Sequence, residues 1–178
     1  MRVIAGQFRS RKLKTISGTA VRPTPDRLRE ALFNVIAPRI SGAVFLDAYA
    51  GSGAVGIEAL SRGAKRIILI ERKAAALATI RENLASLTIQ DQATVVRGSA
   101  SVLLPNYPAD IAFIDPPYEE MKEYEAALLA LSGTSCQLVI AQHPTRFRLE
   151  ERYAELMKTR VLRQGDNSLS FYGRASIS

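Results

Sequence analysis

Five short, almost wholly apolar runs recur along the chain: Val44-Phe45-Leu46, Arg66 to Glu71, Ala93 to Arg97, Ala109 to Asp115 and Gln137 to Ala141. Between them lie segments in which apolar residues return at helical spacing, from about Ala54 to Arg62, from Lys73 to Leu87 and from Glu120 to Leu131. Strands apolar on both faces need cover on both faces, so the alternation predicts a parallel sheet with helices above and below. The end of the chain departs from the pattern. Thr159 to Arg163 and Ser168 to Arg174 flank Gln164-Gly165-Asp166-Asn167, which predicts an antiparallel hairpin finishing the sheet. The expected fold is therefore α/β: a doubly wound, seven-strand sheet with its last strand antiparallel.

Several function classes drop out. A chain of 178 residues with 47% hydrophobic and 23% charged content buries an ordinary core and is not disordered. The single cysteine, Cys136, excludes an internal disulfide, and with the single histidine, His143, leaves too few ligands for a zinc site; no metal is expected. The longest uncharged run, Ala126 to Thr145, is broken by Ser-Gly-Thr-Ser and Gln-His-Pro, so no membrane span is expected. The basic start lacks a following apolar stretch, which argues against a secretory signal and for a cytoplasmic protein.

The net charge of +7 is local. Residues 1–40 hold nine Lys/Arg against Asp26 and Glu30, and the remainder holds fifteen groups of each sign. Residues 1–40 thus read as a basic extension on a neutral body, residues 41–178. Concentrated positive charge displaces counterions from a phosphate backbone, so the extension is expected to bind nucleic acid, rather than to be a solvated tail or one drawn to anionic lipid, through Arg2, Arg9, Arg11, Lys12, Lys14, Arg22, Arg27 and Arg29. Val3 to Gly6 and Lys12 to Ile16 alternate as two short strands around a turn near Arg9-Ser10-Arg11. Thr24 reads as an N-cap with Pro25 at the first helical position, Leu28, Leu32, Val35 and Ile36 mark the buried stripe, and Pro38 ends the helix.

Chemistry concentrates at two strand ends. The turn Asp47-Ala48-Tyr49-Ala50-Gly51-Ser52-Gly53-Ala54-Val55-Gly56 formally satisfies the dinucleotide fingerprint G-x-G-x-x-G, with Glu71 twenty residues past Gly51. Asp47 argues against that reading, because a strand-end carboxylate repels a pyrophosphate and attracts a ligand bearing an ammonium and a sulfonium. Glu71 can accept hydrogen bonds from both ribose hydroxyls of an adenosine. Asp-x-x-x-Gly-x-Gly with an acid closing the next strand resembles the S-adenosylmethionine site of class I methyltransferases.

Asp115-Pro116-Pro117-Tyr118 closes the fourth core strand. The Asp115 carboxylate and the Pro116 carbonyl are two acceptors for the two hydrogens of an exocyclic amine. Pro117 stiffens the lip, and Tyr118 offers a flat face for an extruded base. The motif is similar to the signature of amino-directed nucleic-acid methyltransferases, which modify adenine N6 or guanine N2.

Three blocks carry a closer resemblance. They are Arg22-Pro23-Thr24-Pro25-Asp26-Arg27-Leu28-Arg29-Glu30-Ala31-Leu32-Phe33-Asn34, the stretch from Asp47 through Gly53 to Glu58-Ala59-Leu60-Ser61-Arg62-Gly63-Ala64, and Asp115 to Tyr118. With the opening Arg2-Val3-Ile4-Ala5-Gly6, the whole chain resembles the RsmD family. The resemblance implies methyl transfer from S-adenosylmethionine to N2 of one guanine (guanine 966) of 16S rRNA in the small ribosomal subunit, by a monomer. It implies cofactor contacts at Asp47, Ala50, Gly51, Gly53, Glu71 and Asp115, with Ser99 and Ala100 at the adenine-contacting corner. Rivals are an N6-adenine DNA methyltransferase, a non-catalytic RNA-binding assembly factor and, more distantly, a nicotinamide dehydrogenase.

Overall fold

The computed structural model describes residues 1–16, 24–117 and 120–175. Arg22 and Tyr118 lie outside the described residues. The five apolar runs form β1 (Val44–Asp47), β2 (Arg66–Glu71), β3 (Ala93–Arg97), β4 (Ile111–Ile114) and β5 (Leu138–Pro144). Helices α1 (Asp26–Ile40), α2 (Ala54–Ser61), α3 (Ala74–Leu87), α4 (Ala100–Leu103) and α5 (Met121–Ser132) cover the two faces. The carboxyl-terminal strands are β6 (Arg152–Tyr153), β7 (Leu156–Gln164) and β8 (Asn167–Arg174).

The sheet order is β3-β2-β1-β4-β5-β8-β7-β6. β1 to β5 are mutually parallel, and β8 enters antiparallel beside β5, with β7 antiparallel to β8. The expected seven-strand sheet is present, with the two-residue β6 added at its edge. β6 is too short for periodicity to reveal; it pairs with β7 around Ala154, whose φ is +49°. Between β1 and β4 the order of strands reverses direction, which opens a crevice at their carboxyl ends.

Alternating side chains feed two cores. Phe45, Ile67, Leu69, Phe113 and Ile140 pack under α1, α2 and α3, while Leu46, Ile70, Ala112, Ile114 and Val139 pack under α4 and α5. The first core also contains Val3 and Leu13, so the amino-terminal segment packs into the same apolar mass as the body.

That segment forms one antiparallel bridge, Arg2 to Lys12, rather than two strands. The Val3 and Leu13 N–H groups donate to the Arg11 and Met1 carbonyls at 3.0 and 2.9 Å. Other backbone donors of the segment, at Ile4, Ala5, Gln7, Phe8 and Lys14, turn to the body. Glu58, fully buried on α2, accepts the Ile4 and Ala5 N–H groups at 2.9 and 3.0 Å and the Arg62 Nε at 2.8 Å. Ser61 Oγ accepts the Phe8 N–H at 2.9 Å, and its carbonyl accepts the Gln7 N–H at 2.8 Å. Buried Asn83 on α3 takes the Lys14 N–H at 2.7 Å and donates to the Lys14 and Ser52 carbonyls, both at 3.0 Å.

Two helix boundaries differ from expectation. Pro25, not Thr24, precedes the first turn of α1, and its carbonyl accepts the Arg29 N–H at 3.0 Å without a side-chain cap. Pro38 lies inside the last turn rather than ending it, and its missing N–H leaves the Asn34 carbonyl without its helical donor only two residues before the helix stops.

Candidate active site

Register brings three acids to one edge. Asp47 ends β1 opposite Leu69 of β2 and Phe113 of β4; Glu71 ends β2; Asp115 follows β4 directly. The glycine turn is stitched to both neighbours: the Ala48 N–H donates to the Phe113 carbonyl and the Ala50 N–H to the Ile70 carbonyl, each at 3.0 Å. Gly53, with φ +82°, turns the chain into α2, a conformation that a side chain disfavours. At Gly56 a Cβ would stand 2.4 Å from Leu69 Cδ2, so the absent side chain lets α2 lie close on the sheet.

Glu71 is oriented by the polypeptide. Its Oε2 accepts the Gly51 N–H at 2.9 Å, and its Oε1 accepts the Arg72 and Lys73 N–H groups at 2.8 and 2.9 Å. One carboxylate thus fixes the turn after β1 and the start of α3 while still lining the cavity. Tyr49 donates its hydroxyl to Glu123 Oε2 at 2.9 Å, tying the glycine turn to α5.

The cavity between these elements has a volume of about 280 Å³ and is bordered by Glu71, Gly98 to Ala100 and Asp115 to Pro117. A recess of about 80 Å³ adjoins it, sharing Tyr49, Gly51 and Asp115 and adding Asp47, Ala50 and Ser52. Met1, Thr15, Ile16 and Thr24 also line it, so the basic extension borders the site. Gly53 lines neither space; it shapes the turn from behind.

Both central acids resist ionisation. Burial pushes Asp47 up to about 7 despite backbone hydrogen bonds from Tyr49 and Gly56, and the Glu71 charge adds to the rise. Burial, then the charge on Asp47, pushes Asp115 up to about 8. Asp47 Oδ1 is buried with no hydrogen-bond partner among the described residues. Such a cluster selects a cation, which would satisfy the orphaned oxygen and relieve the repulsion.

The predicted RNA-contacting residues divide. Arg2, Arg9, Lys12 and Arg27 are exposed. Arg11 Nη2 donates to the Ser86 carbonyl at 2.9 Å, and Lys14 is paired with Glu82 at the surface. Arg29 must be corrected: its side chain is fully buried, donating from Nη2 to the Arg2 carbonyl at 2.7 Å and to Asp26 Oδ1 at 3.0 Å. It holds the extension against α1 and is closed to a phosphate.

Sequence reasoning passed over Tyr49, Glu123, Glu58, Ser61 and Asn83. Glu58 carried a signal, since a carboxylate within the apolar run Ala54 to Leu60 requires donors.

Known proteins resemble this chain in sequence and fold. The family described as Conserved hypothetical protein 95, the RsmD family, matches residues 1–173. YlbH of Bacillus subtilis is 37% identical over 182 residues, covering 97% of this chain and 98% of that protein. The Ribosomal RNA small subunit methyltransferase D of Escherichia coli is 46% identical over 120 residues, covering 66% of this chain and 60% of that protein. Among solved structures, yhhF from Escherichia coli superposes with a TM-score of 0.85 at 35% identity, over 98% of this chain and 97% of that one. An RNA methyltransferase from Salinibacter ruber, solved with S-adenosyl-L-homocysteine, shares the fold at 15% identity, with a TM-score of 0.68 over 88% and 97% of the two chains. With its strand order, its three strand-end acids and its matched length, this chain belongs to the RsmD family and has the class I methyltransferase fold.

Proposed function

We propose that this protein transfers a methyl group from S-adenosylmethionine to N2 of one guanine in 16S rRNA of the small ribosomal subunit. One observation carries the reading: Asp47, Glu71 and Asp115 converge on a single cleft whose lip is Asp-Pro-Pro. The residues fit the methyl donor. The unpartnered Asp47 oxygen suits its ammonium, Glu71 its ribose, and Gly98 to Ala100 its adenine. When bound, S-adenosylmethionine supplies an electrophilic methyl carbon on a positively charged sulfur.

Asp115 and Pro116 act on the acceptor. An exocyclic amine is a weak nucleophile because its lone pair is delocalised into the ring. The Asp115 carboxylate and the Pro116 carbonyl each accept one amine hydrogen, which favours a pyramidal nitrogen and aims its lone pair. The carboxylate form of Asp115 is required, and it receives the proton that the amine loses. Catalysis is then mainly positioning and electrostatics. Arg2, Arg9, Arg11, Lys12, Lys14, Arg22 and Arg27 hold RNA phosphates, and Tyr118 stacks on the base. The ribosomal substrate is supported by the name of the Escherichia coli relative.

Methylation of unmodified small subunits with labelled donor, followed by nucleoside mass spectrometry, tests the reading. N2-methylguanine in 16S rRNA is expected; N6-methyladenine would replace this reading with the adenine-directed one. Asp115→Ala should lower transfer by orders of magnitude and leave RNA affinity nearly unchanged. Unaltered transfer in that variant would remove Asp115 from the mechanism.

A further inference from the structure

Positive charge also gathers at the rim that carries the cleft, on the side away from the amino-terminal extension. The β7–β8 turn falls at this rim because β8 starts beside the carboxyl end of β5, with Asn167 opposite Pro144. The Thr145 N–H donates to the Asp166 carbonyl at 2.8 Å, and Thr145 Oγ1 lies 3.0 Å from Ser168 Oγ. Arg163 sits opposite Ser168 in the β7–β8 ladder. Arg146 and Arg148, directly after Thr145, therefore share the rim with Arg163. Within 144–149 and 163–168, Asp166 is the only acid.

All three arginines are exposed, and among the described residues none forms an ion pair. Arg146 lies over the Phe147 ring, its guanidinium carbon 5.2 Å from the centroid, and Phe147 is itself anchored against the α5 core. The extension, by contrast, carries Arg11 far from the rim. Its partner Ser86 is twelve residues beyond Ala74 at the start of α3, about 18 Å along the helix axis.

We propose that Arg146, Arg148 and Arg163 form a second RNA-backbone surface, holding the phosphates that flank the target base from the β5–β8 side. The surface rests on the functional reading above and extends it: RNA would straddle the cleft, gripped by the extension on one side and by these arginines on the other. Guanidinium groups free of carboxylates keep their donors available for phosphate oxygens.

The test compares wild type with the triple variant Arg146→Gln, Arg148→Gln, Arg163→Gln and with the triple lysine variant. Affinity for a 16S rRNA fragment is measured across a salt series, and KM for unmodified small subunits is measured alongside. Loss of three contacts should make the slope of log K against log salt shallower by about two, at roughly 0.7 per single-strand phosphate. KM for subunits should rise at least tenfold, affinity for S-adenosylmethionine should stay at the wild-type value, and lysine should restore most of the slope. An unchanged slope and KM in a glutamine variant that melts like wild type overturns the surface while leaving the function intact. A raised KM for subunits with an unchanged slope on the RNA fragment also overturns it, because the arginines would then be meeting ribosomal protein. If wild type transfers no methyl to RNA, the functional reading falls and the surface with it.

Discussion

Asp47 and Asp115 hold protons in the folded, ligand-free protein that the unfolded chain has already released, since one is pushed up to about 7 and the other to about 8. Between the ordinary aspartate range near 4 and about pH 8, the native state binds more protons, so its stability falls as pH rises. Thermal melts should accordingly show a declining midpoint across this window. Asp115→Asn should flatten the decline and melt higher than wild type at pH 8.5; an unchanged profile would mean that the carboxyl is already ionised near pH 4. The converse holds for a cationic ligand. Binding S-adenosylmethionine near neutral pH should expel protons, measured as a binding heat that depends on the ionisation enthalpy of the buffer. These acids were legible in the sequence because each ends a recognisable strand. Arg29 was not legible from charge, which says nothing of spacing. It shares a helical stripe with Phe33, Ile36 and Ile40, all buried, and that stripe placed it inside.

The amino-terminal extension shows what pattern reading leaves out. Alternation predicted two strands, whereas the donors at Ile4, Ala5 and Phe8 go to side chains of α2, more than fifty residues away. No local rule announces such a partner. Gly6 is the tightest point of the seam: with φ +82°, a Cβ there would lie 1.8 Å from the Ser61 carbonyl oxygen. Gly6→Ala should release the extension, costing about 1–3 kcal/mol from the backbone conformation alone. Limited trypsin digestion should then cut at Arg9 and Arg11 faster than in wild type. Asn83→Ala removes three hydrogen bonds that join the extension to the glycine turn, and leaving buried groups unpaired costs about 1–3 kcal/mol. A lower denaturant midpoint and weaker S-adenosylmethionine binding together are the expected result. A lower midpoint with unaltered binding would confine Asn83 to stability. The carboxyl-terminal hairpin was legible because its glycine turn is local, although its strands extend to Leu156 and Asn167, beyond the alternating stretches.

At the scale of the molecule, charge arithmetic and packing divide the chain differently. The sum placed all net charge in residues 1–40 and hid the arginines at 146, 148 and 163, because acids elsewhere in the body cancel them. Packing gives one core to both parts, with Val3 and Leu13 alongside Phe33, Ile57 and Leu84. Unfolding should therefore be a single transition, seen as coincident denaturation curves by circular dichroism and tyrosine fluorescence. Two separated transitions would show that the extension folds independently. The general topology was open to sequence reasoning since parallel strands buried on both faces leave few alternatives. The seam was not, since it rests on single polar side chains inside apolar helices. A practical hazard follows from the guanidinium sealed beneath the first helix. In an alanine scan for RNA contacts, Arg29→Ala would score as a strong hit, yet the lost signal would report misfolded protein; only a melt run on each mutant separates a broken scaffold from a missing handhold.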